Sequence, residues 1–185
     1  MSIRKIVILG PESSGKTTLC TELASRLNAS LVPEFARQHL QEKGPAYSYE
    51  DLLPIAKGQL QLEQNALDQI EPSGHTQWLI MDTDLQVIRI WSEILFQKCD
   101  NRILSEIACR NYDYYLLTYP DLPWVPDPLR ENEDIQQRMV IFHHFHDSLV
   151  NQSTPFGIVK GAGEPRTAAA LKLLFDQFGD IGITS

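Results

Sequence analysis

The stretch GPESSGKTT at residues 10–18 decides how this sequence is read. It places Gly10, four intervening residues, Gly15, Lys16 and Thr17 between the β-branched apolar run IRKIVIL (3–9) and a segment with Leu19, Leu23 and Leu27 at helical spacing. Strand, glycine loop and helix in that order make a phosphate cradle. The glycines reach backbone angles that other residues resist, so successive N–H groups curl around phosphate oxygens, and the helix N-terminus adds partial positive charge. The expected contacts are Gly10, Glu12, Ser13, Ser14, Gly15, Lys16, Thr17 and Thr18. Lys16 should reach the β- and γ-phosphates of a nucleotide, ATP or GTP, and Thr17 should set its hydroxyl on Mg²⁺.

Outward from this loop, short apolar strands alternate with helices. Strands are expected at 3–9, 30–32, 77–82, 112–118 and 155–161. Helices are expected after the loop, from an N-cap near Asp51 to about Ile70, in segments to about 110, over 133–150 and over 165–178. Pro54 then falls in a tolerated first turn, Glu71-Pro72-Ser73-Gly74 closes the long helix, and Pro165 opens the last one. This alternation predicts an α/β fold, a three-layer sandwich with a five-stranded parallel sheet covered on both faces. No repeat or linker divides the 185 residues, so a single domain over 1–185 is expected, with a proline-rich lid at about 119–138.

Composition narrows the function. Sixteen Lys and Arg against 24 Asp and Glu leave a net charge of −8, which argues against a nucleic-acid partner. Cys20, Cys99 and Cys109 show no CxxC spacing and read as reduced, mostly buried thiols. No apolar run approaches a membrane span, so a cytoplasmic protein without a membrane partner is expected. The sequence is silent on oligomeric state.

The third strand ends in Asp82, where a second carboxylate for the Mg²⁺ site is expected; Asp84 is either a substrate contact or a helix cap. Glu34 and Arg37 follow the second strand: Glu34 is placed to take a proton from an attacking hydroxyl, and Arg37 to anchor the substrate. Arg130 and Arg138 lie in and after the lid, where guanidinium groups neutralise a transferring phosphoryl group. A guanine-reading switch is disfavoured because Gln97-Lys98-Cys99-Asp100 begins with the wrong residue and follows a helix. A mechanical ATPase needs subdomains that the length does not hold. The catalytic set is therefore Lys16, Glu34, Asp82, Arg130 and Arg138, in a small-molecule kinase.

Taken together, GPESSGKTTL, VPEFAR, LIMDTD, YDYYLLT and DLPWVPDPLR, with Arg138 eight residues beyond Arg130, resemble the ribosylnicotinamide kinase domain of the bacterial trifunctional NAD biosynthesis/regulator proteins. That group is also classed with AAA-type ATPases. The resemblance runs from about residue 4 to 160 and implies ATP-dependent phosphorylation of nicotinamide riboside at its 5′-hydroxyl. Another nucleoside or nucleotide kinase, or a regulatory ATPase, is the alternative. The trifunctional proteins carry a DNA-binding and a nucleotidyltransferase domain before the kinase, so repression and adenylylation are not expected of these 185 residues.

Several features stay open at this stage. Gly58 inside a helix costs about 1 kcal/mol relative to alanine and signals close packing on a neighbour or a substrate. Gln59 and Gln61 are candidates for bonding a base or carboxamide; Tyr47, Tyr49 and Trp124 are candidates for stacking on a ring. His143, His144 and His146 are expected to flank a buried stripe of Ile135, Met139, Phe142, Phe145 and Leu149 rather than to bind metal.

Overall fold

The computed structural model describes residues 3–70, 77–129 and 132–182. Among them, five strands form one all-parallel sheet: β1 (Ile3–Leu9), β2 (Ser30–Val32), β3 (Gln77–Asp82), β4 (Tyr114–Thr118) and β5 (Phe156–Val159), in the order β2-β3-β1-β4-β5. Seven helices cover it: α1 (Lys16–Leu27), α2 (Phe35–Lys43), α3 (Tyr49–Asp68), α4 (Leu85–Phe96), α5 (Asn101–Cys109), α6 (Ile135–Val150) and α7 (Gly163–Phe178).

Successive strand residues face opposite ways, so β1 feeds two cores. Ile6 and Ile8 pack with Leu19 and Leu23 of α1 and Leu174 of α7. Val7 and Leu9 pack with Ile90 of α4 and Phe142 and Phe145 of α6. All of these are at most 4% exposed, which is why the central strands read as continuous apolar runs rather than alternating ones. A third cluster joins Leu52 and Ile55 of α3 to Ile88 of α4 and Ile103 of α5.

The structure corrects several local expectations. Asp51 is not the N-cap of α3. Ser48 holds that position, and its N–H and hydroxyl both bond Asp51, at 2.8 and 3.0 Å, in a capping box. Pro54 consequently falls in the second turn, where it has no N–H for the carbonyl of Glu50; that residue is exposed, so water can serve its carbonyl instead. Helix α2, nine residues without a fully buried side chain, is not among the expected helices. Strand β4 begins at Tyr114, and the preceding Tyr112 instead donates its hydroxyl to Glu63 at 3.1 Å. Glu63, buried on α3, also takes Lys5 at 3.3 Å and Arg110 at 3.0 Å, pinning the helix to the sheet. Of the cysteines only Cys20 is buried; Cys99 is half-buried and Cys109 exposed. In α6, Phe142, Phe145 and Leu149 are buried as expected, but Ile135 is 42% exposed and Arg138 is buried in its stead. The proposed 71–74 helix stop lies outside the described residues.

Gly58 is explained by a neighbour rather than a ligand. A Cβ there would stand 2.1–2.3 Å from three ring carbons of Phe35, the first residue of α2. Substituting Gly58→Ala should therefore destabilise the protein by about 1–3 kcal/mol through overpacking, against alanine's better helix propensity. Urea unfolding checks this, and a stabilised variant would show that Phe35 moves freely aside.

Candidate active site

Parallel pairing brings every strand's C-terminal end to one edge of the sheet, and the site collects there. Loop 10–15 leaves β1 and enters α1, whose first-turn N–H groups have no helical partner. Two positions of the loop require glycine. Gly10 has φ +149°, and a Cβ would stand 2.1 Å from the Thr118 hydroxyl. Gly15 has φ +77°, with Leu122 2.7 Å from its notional Cβ. Beneath the loop, the buried hydroxyls of Ser14 and Thr118 lie 2.6 Å apart and distribute their two protons over three contacts: with each other, from Ser14 to the Pro11 carbonyl at 2.6 Å, and from Thr118 to the Leu9 carbonyl at 3.0 Å. The Lys16 ammonium is held by the carbonyls of Gly10 and Pro11 at 3.0 and 3.1 Å.

Thr17 donates its hydroxyl to Asp82 Oδ2 at 2.6 Å. Asp82 is 3% exposed, and its other oxygen, Oδ1, is buried without a hydrogen-bond partner among the described residues. A buried anionic oxygen without a donor is costly, and a hard divalent cation is the group that it suits. The donor set Thr17 and Asp82 therefore fits Mg²⁺.

Across the cleft, Glu34 is the N-cap residue of α2, yet its side chain makes no capping bond and lines the cleft instead. Burial pushes its carboxyl above the usual range, and the charges of Asp82 and Glu12 add to this, while Lys16 and Arg37 oppose it. Gln59 sets the turn that presents Glu34. Its amide is buried, accepts from the Phe35 N–H at 2.8 Å and donates to the Pro33 carbonyl at 3.2 Å, so it grips the backbone on both sides of Glu34.

The segment expected as a lid meets the cleft at two points. Arg37 pairs with Asp127 at 2.5 Å, and the backbone N–H of Asn132 donates to Glu12 at 3.0 Å, supported by the Asn132 side-chain amide. Leu129 lines the cleft from the lid. The far end is apolar: Leu52, Ile55, Val87 and Ile88 surround Tyr47 and Trp91, whose ring centroids are 5.9 Å apart.

One cleft thus gathers Gly10, Glu12, Ser13, Ser14, Gly15, Lys16, Thr17, Thr18, Glu34 and Arg37, with Asp82 at its base. Other expected site residues stand elsewhere. Asp84 is the buried cap of α4: its oxygens accept from the Gln86 N–H and the Tyr115 hydroxyl, both at 2.9 Å, and burial raises its pKa to about 6. It does not line the cleft. Arg138 is 4% exposed, donates to the Leu122 carbonyl at 3.3 Å and lies 5.8 Å from the centre of the Trp124 ring. Arg138 and Trp124 therefore pack with the proline-rich loop after β4. Arg130 lies outside the described residues. Gln59 is taken up by the backbone, Gln61 bonds Asn65 on the helix surface, and Tyr49 packs against Phe96 beneath Lys98. No group of three or more His, Cys, Asp or Glu among the described residues is arranged for a metal.

Comparison with known proteins accords with this geometry. A family model described as an AAA domain matches residues 5–166. The chain belongs to that family. It is 26% identical over 189 residues to the trifunctional NAD biosynthesis/regulator protein NadR of Salmonella typhimurium strain LT2, covering 97% of this chain and 44% of that protein. The Escherichia coli K12 protein of the same name is 29% identical over 136 residues, 69% of this chain and 31% of the relative. The chain thus spans less than half the length of these curated relatives. Among solved structures, the fold resembles a NadR protein in complex with NR, with TM-score 0.78 and 20% identity over 98% of this chain and 51% of that one. It also resembles a thymidylate kinase from Ehrlichia chaffeensis, with TM-score 0.64 and 15% identity over 94% of this chain and 100% of the other. The α/β fold is shared with both of these solved structures. No helix among the described residues is long and apolar enough to cross a membrane.

The Asp82 geometry makes a direct prediction. Asp82→Asn keeps an acceptor for Thr17 but removes the anionic oxygen. The Mg²⁺-dependent part of the affinity for a triphosphate nucleotide should fall by about 10–100-fold. Calorimetric titrations with and without Mg²⁺ measure it; an unchanged Mg²⁺ increment would remove Asp82 from the metal site.

Proposed function

We propose that this chain transfers the γ-phosphoryl group of ATP to the 5′-hydroxyl of nicotinamide riboside, giving nicotinamide mononucleotide and ADP. The observation that carries the proposal is the Glu34 carboxylate facing the Lys16 and Thr17 phosphate loop across one cleft whose other end is aromatic. The names of the NadR relatives and of the NR complex support the choice of acceptor. The fold likeness to a thymidylate kinase is of the kind expected for a small nucleoside or nucleotide kinase.

On this reading the loop amides and Lys16 hold the triphosphate and offset charge on the γ-phosphoryl oxygens. Thr17 and Asp82 would hold Mg²⁺, which when bound neutralises phosphate charge. Glu34 accepts the proton of the 5′-hydroxyl as its oxygen bonds to phosphorus and the bond from phosphorus to the ADP oxygen breaks. A carboxyl raised by burial is a stronger base than a solvated one, which suits this task. Arg37 anchors the ribose end, and its pair with Asp127 brings the lid over the acceptor. The nicotinamide ring of the riboside is cationic, so the faces of Tyr47 and Trp91 and the acidic Glu12 and Glu34 favour it electrostatically. Arg130 is assigned to the transferring phosphoryl group, and Arg138 acts through Leu122 and Trp124 to hold the lid loop. The proposed setting is the cytoplasm.

Incubating the pure protein with MgATP and nicotinamide riboside, thymidine, deoxyadenosine or thymidine monophosphate, followed by mass spectrometry, tests the assignment. Phosphorylated nicotinamide riboside as the preferred product is expected. A different preferred acceptor would reassign the substrate, and ADP without any phosphorylated acceptor would indicate a regulatory ATPase. Glu34→Gln should lower kcat by about 10²–10⁴-fold while leaving ATP affinity unchanged. A near-normal kcat would move the base to Asp82, since Asp84 is committed to its cap.

A further inference from the structure

The strand order gives the crevice two sides. Loop 10–15 leaves the central β1; Glu34 and Asp82 stand at the ends of β2 and β3, on one side, and the loops after β4 and β5 stand on the other. With an acceptor hydroxyl at Glu34, the β4–β5 side is the one the strand order leaves for the remainder of a donor nucleotide.

Arg166, in the first turn of α7, lies under that side and is 4% exposed. Its guanidinium joins three separate segments. It donates to the carbonyl of Ser14 in the phosphate loop at 2.5 Å, to the carbonyl of Gly161 after β5 at 2.5 Å, and to Asp121 after β4 at 3.0 Å. Asp121 closes the knot by accepting from the Gly161 N–H at 2.7 Å. Burying a guanidinium is expensive, and an apolar side chain would pack the same space at less cost. What a planar fork supplies is simultaneous control of the direction of several acceptors, which lysine cannot reproduce.

The Ser14 carbonyl matters because of what lies on the other end of its peptide plane. In a trans peptide the N–H points opposite the C=O, and no cis peptide is present among the described residues, so holding the Ser14 carbonyl from below directs the Gly15 N–H away from Arg166. Gly15 lines the cleft. We infer that Arg166 is a positioning residue for the donor nucleotide: it sets the Gly15 amide and ties the phosphate loop to the β4 and β5 loops, through Asp121 and Gly161. The inference rests on the reading of loop 10–17 as the ATP phosphate site.

The test separates donor from acceptor. Dissociation constants for Mg·AMP-PNP and for nicotinamide riboside are measured separately on wild type, Arg166→Lys and Asp121→Asn, with thermal unfolding as the check on folding. Arg166→Lys should weaken Mg·AMP-PNP binding by about 10–100-fold, and Asp121→Asn by a smaller factor, with riboside affinity unchanged. Should Arg166→Lys fail to fold, Asp121→Asn decides alone, because it leaves the arginine and its two close carbonyl contacts in place. A folded variant with wild-type affinity for Mg·AMP-PNP, or an equal loss for both ligands, would overturn the inference and leave Arg166 a packing residue. Absence of Mg·AMP-PNP binding by the wild type would instead refute the kinase reading, and this inference with it.

Discussion

The hydrogen bond from Thr17 to Asp82 is the contact on which the rest of the site depends. It joins the first turn of α1 to the last residue of β3, and it is 2.6 Å long because the two strands beneath it are in parallel register, with Ile8 opposite Asp82. A slip of one residue would turn Asp82 to the other face of the sheet and carry its carboxylate away from the loop. The apolar pairs that fix this register, Ile6 with Ile80 and Val7 with Met81, are at most 1% exposed. The chemistry of the cleft is thus held in place by the burial of groups that take no part in it.

Around that contact the two ends of the cleft are built by different means. The end at the glycine loop is mostly backbone: glycine angles, helix-start amides and carbonyls held from below by Thr118 and Arg166. The opposite end is built from side chains on α2, α3 and α4, and α2 is held there by little apolar burial of its own. Phe35 seated against Gly58 and the Gln59 amide straddling Glu34 fix where that short helix begins. This division accounts for the site's polarity: preformed donors at one end, an apolar and aromatic surface at the other.

The same division explains what was legible in the sequence. Loop 10–18, the five strands and Asp82 could be read because each has a local cause, in glycine spacing, β-branched runs and a carboxylate at a strand end. Helix α2 could not, since FARQHLQEK shows no apolar stripe and is held by residues about twenty positions away. Asp84 and Gln59 were ambiguous for a related reason: a carboxylate two residues past a strand, or an amide on a helix, serves a backbone group as readily as a ligand, and only the fold shows the Tyr115 hydroxyl and the Phe35 N–H beside them. Trp91 carried no signal in its helical context, although it lines the cleft. Arg166 was silent because its partners are carbonyls, which no side-chain pattern announces.

The central claim is that one cleft holds a triphosphate on the glycine loop and a nucleoside hydroxyl at Glu34. A crystal structure of the chain with AMP-PNP, Mg²⁺ and nicotinamide riboside tests it most directly. The account predicts the triphosphate along residues 10–17, a cation touching Thr17 and Asp82, and the riboside 5′-hydroxyl within hydrogen-bond distance of Glu34, with its ring between the lid and Trp91. A riboside bound outside this cleft, or with its 5′-hydroxyl turned away from the γ-phosphate, would contradict it.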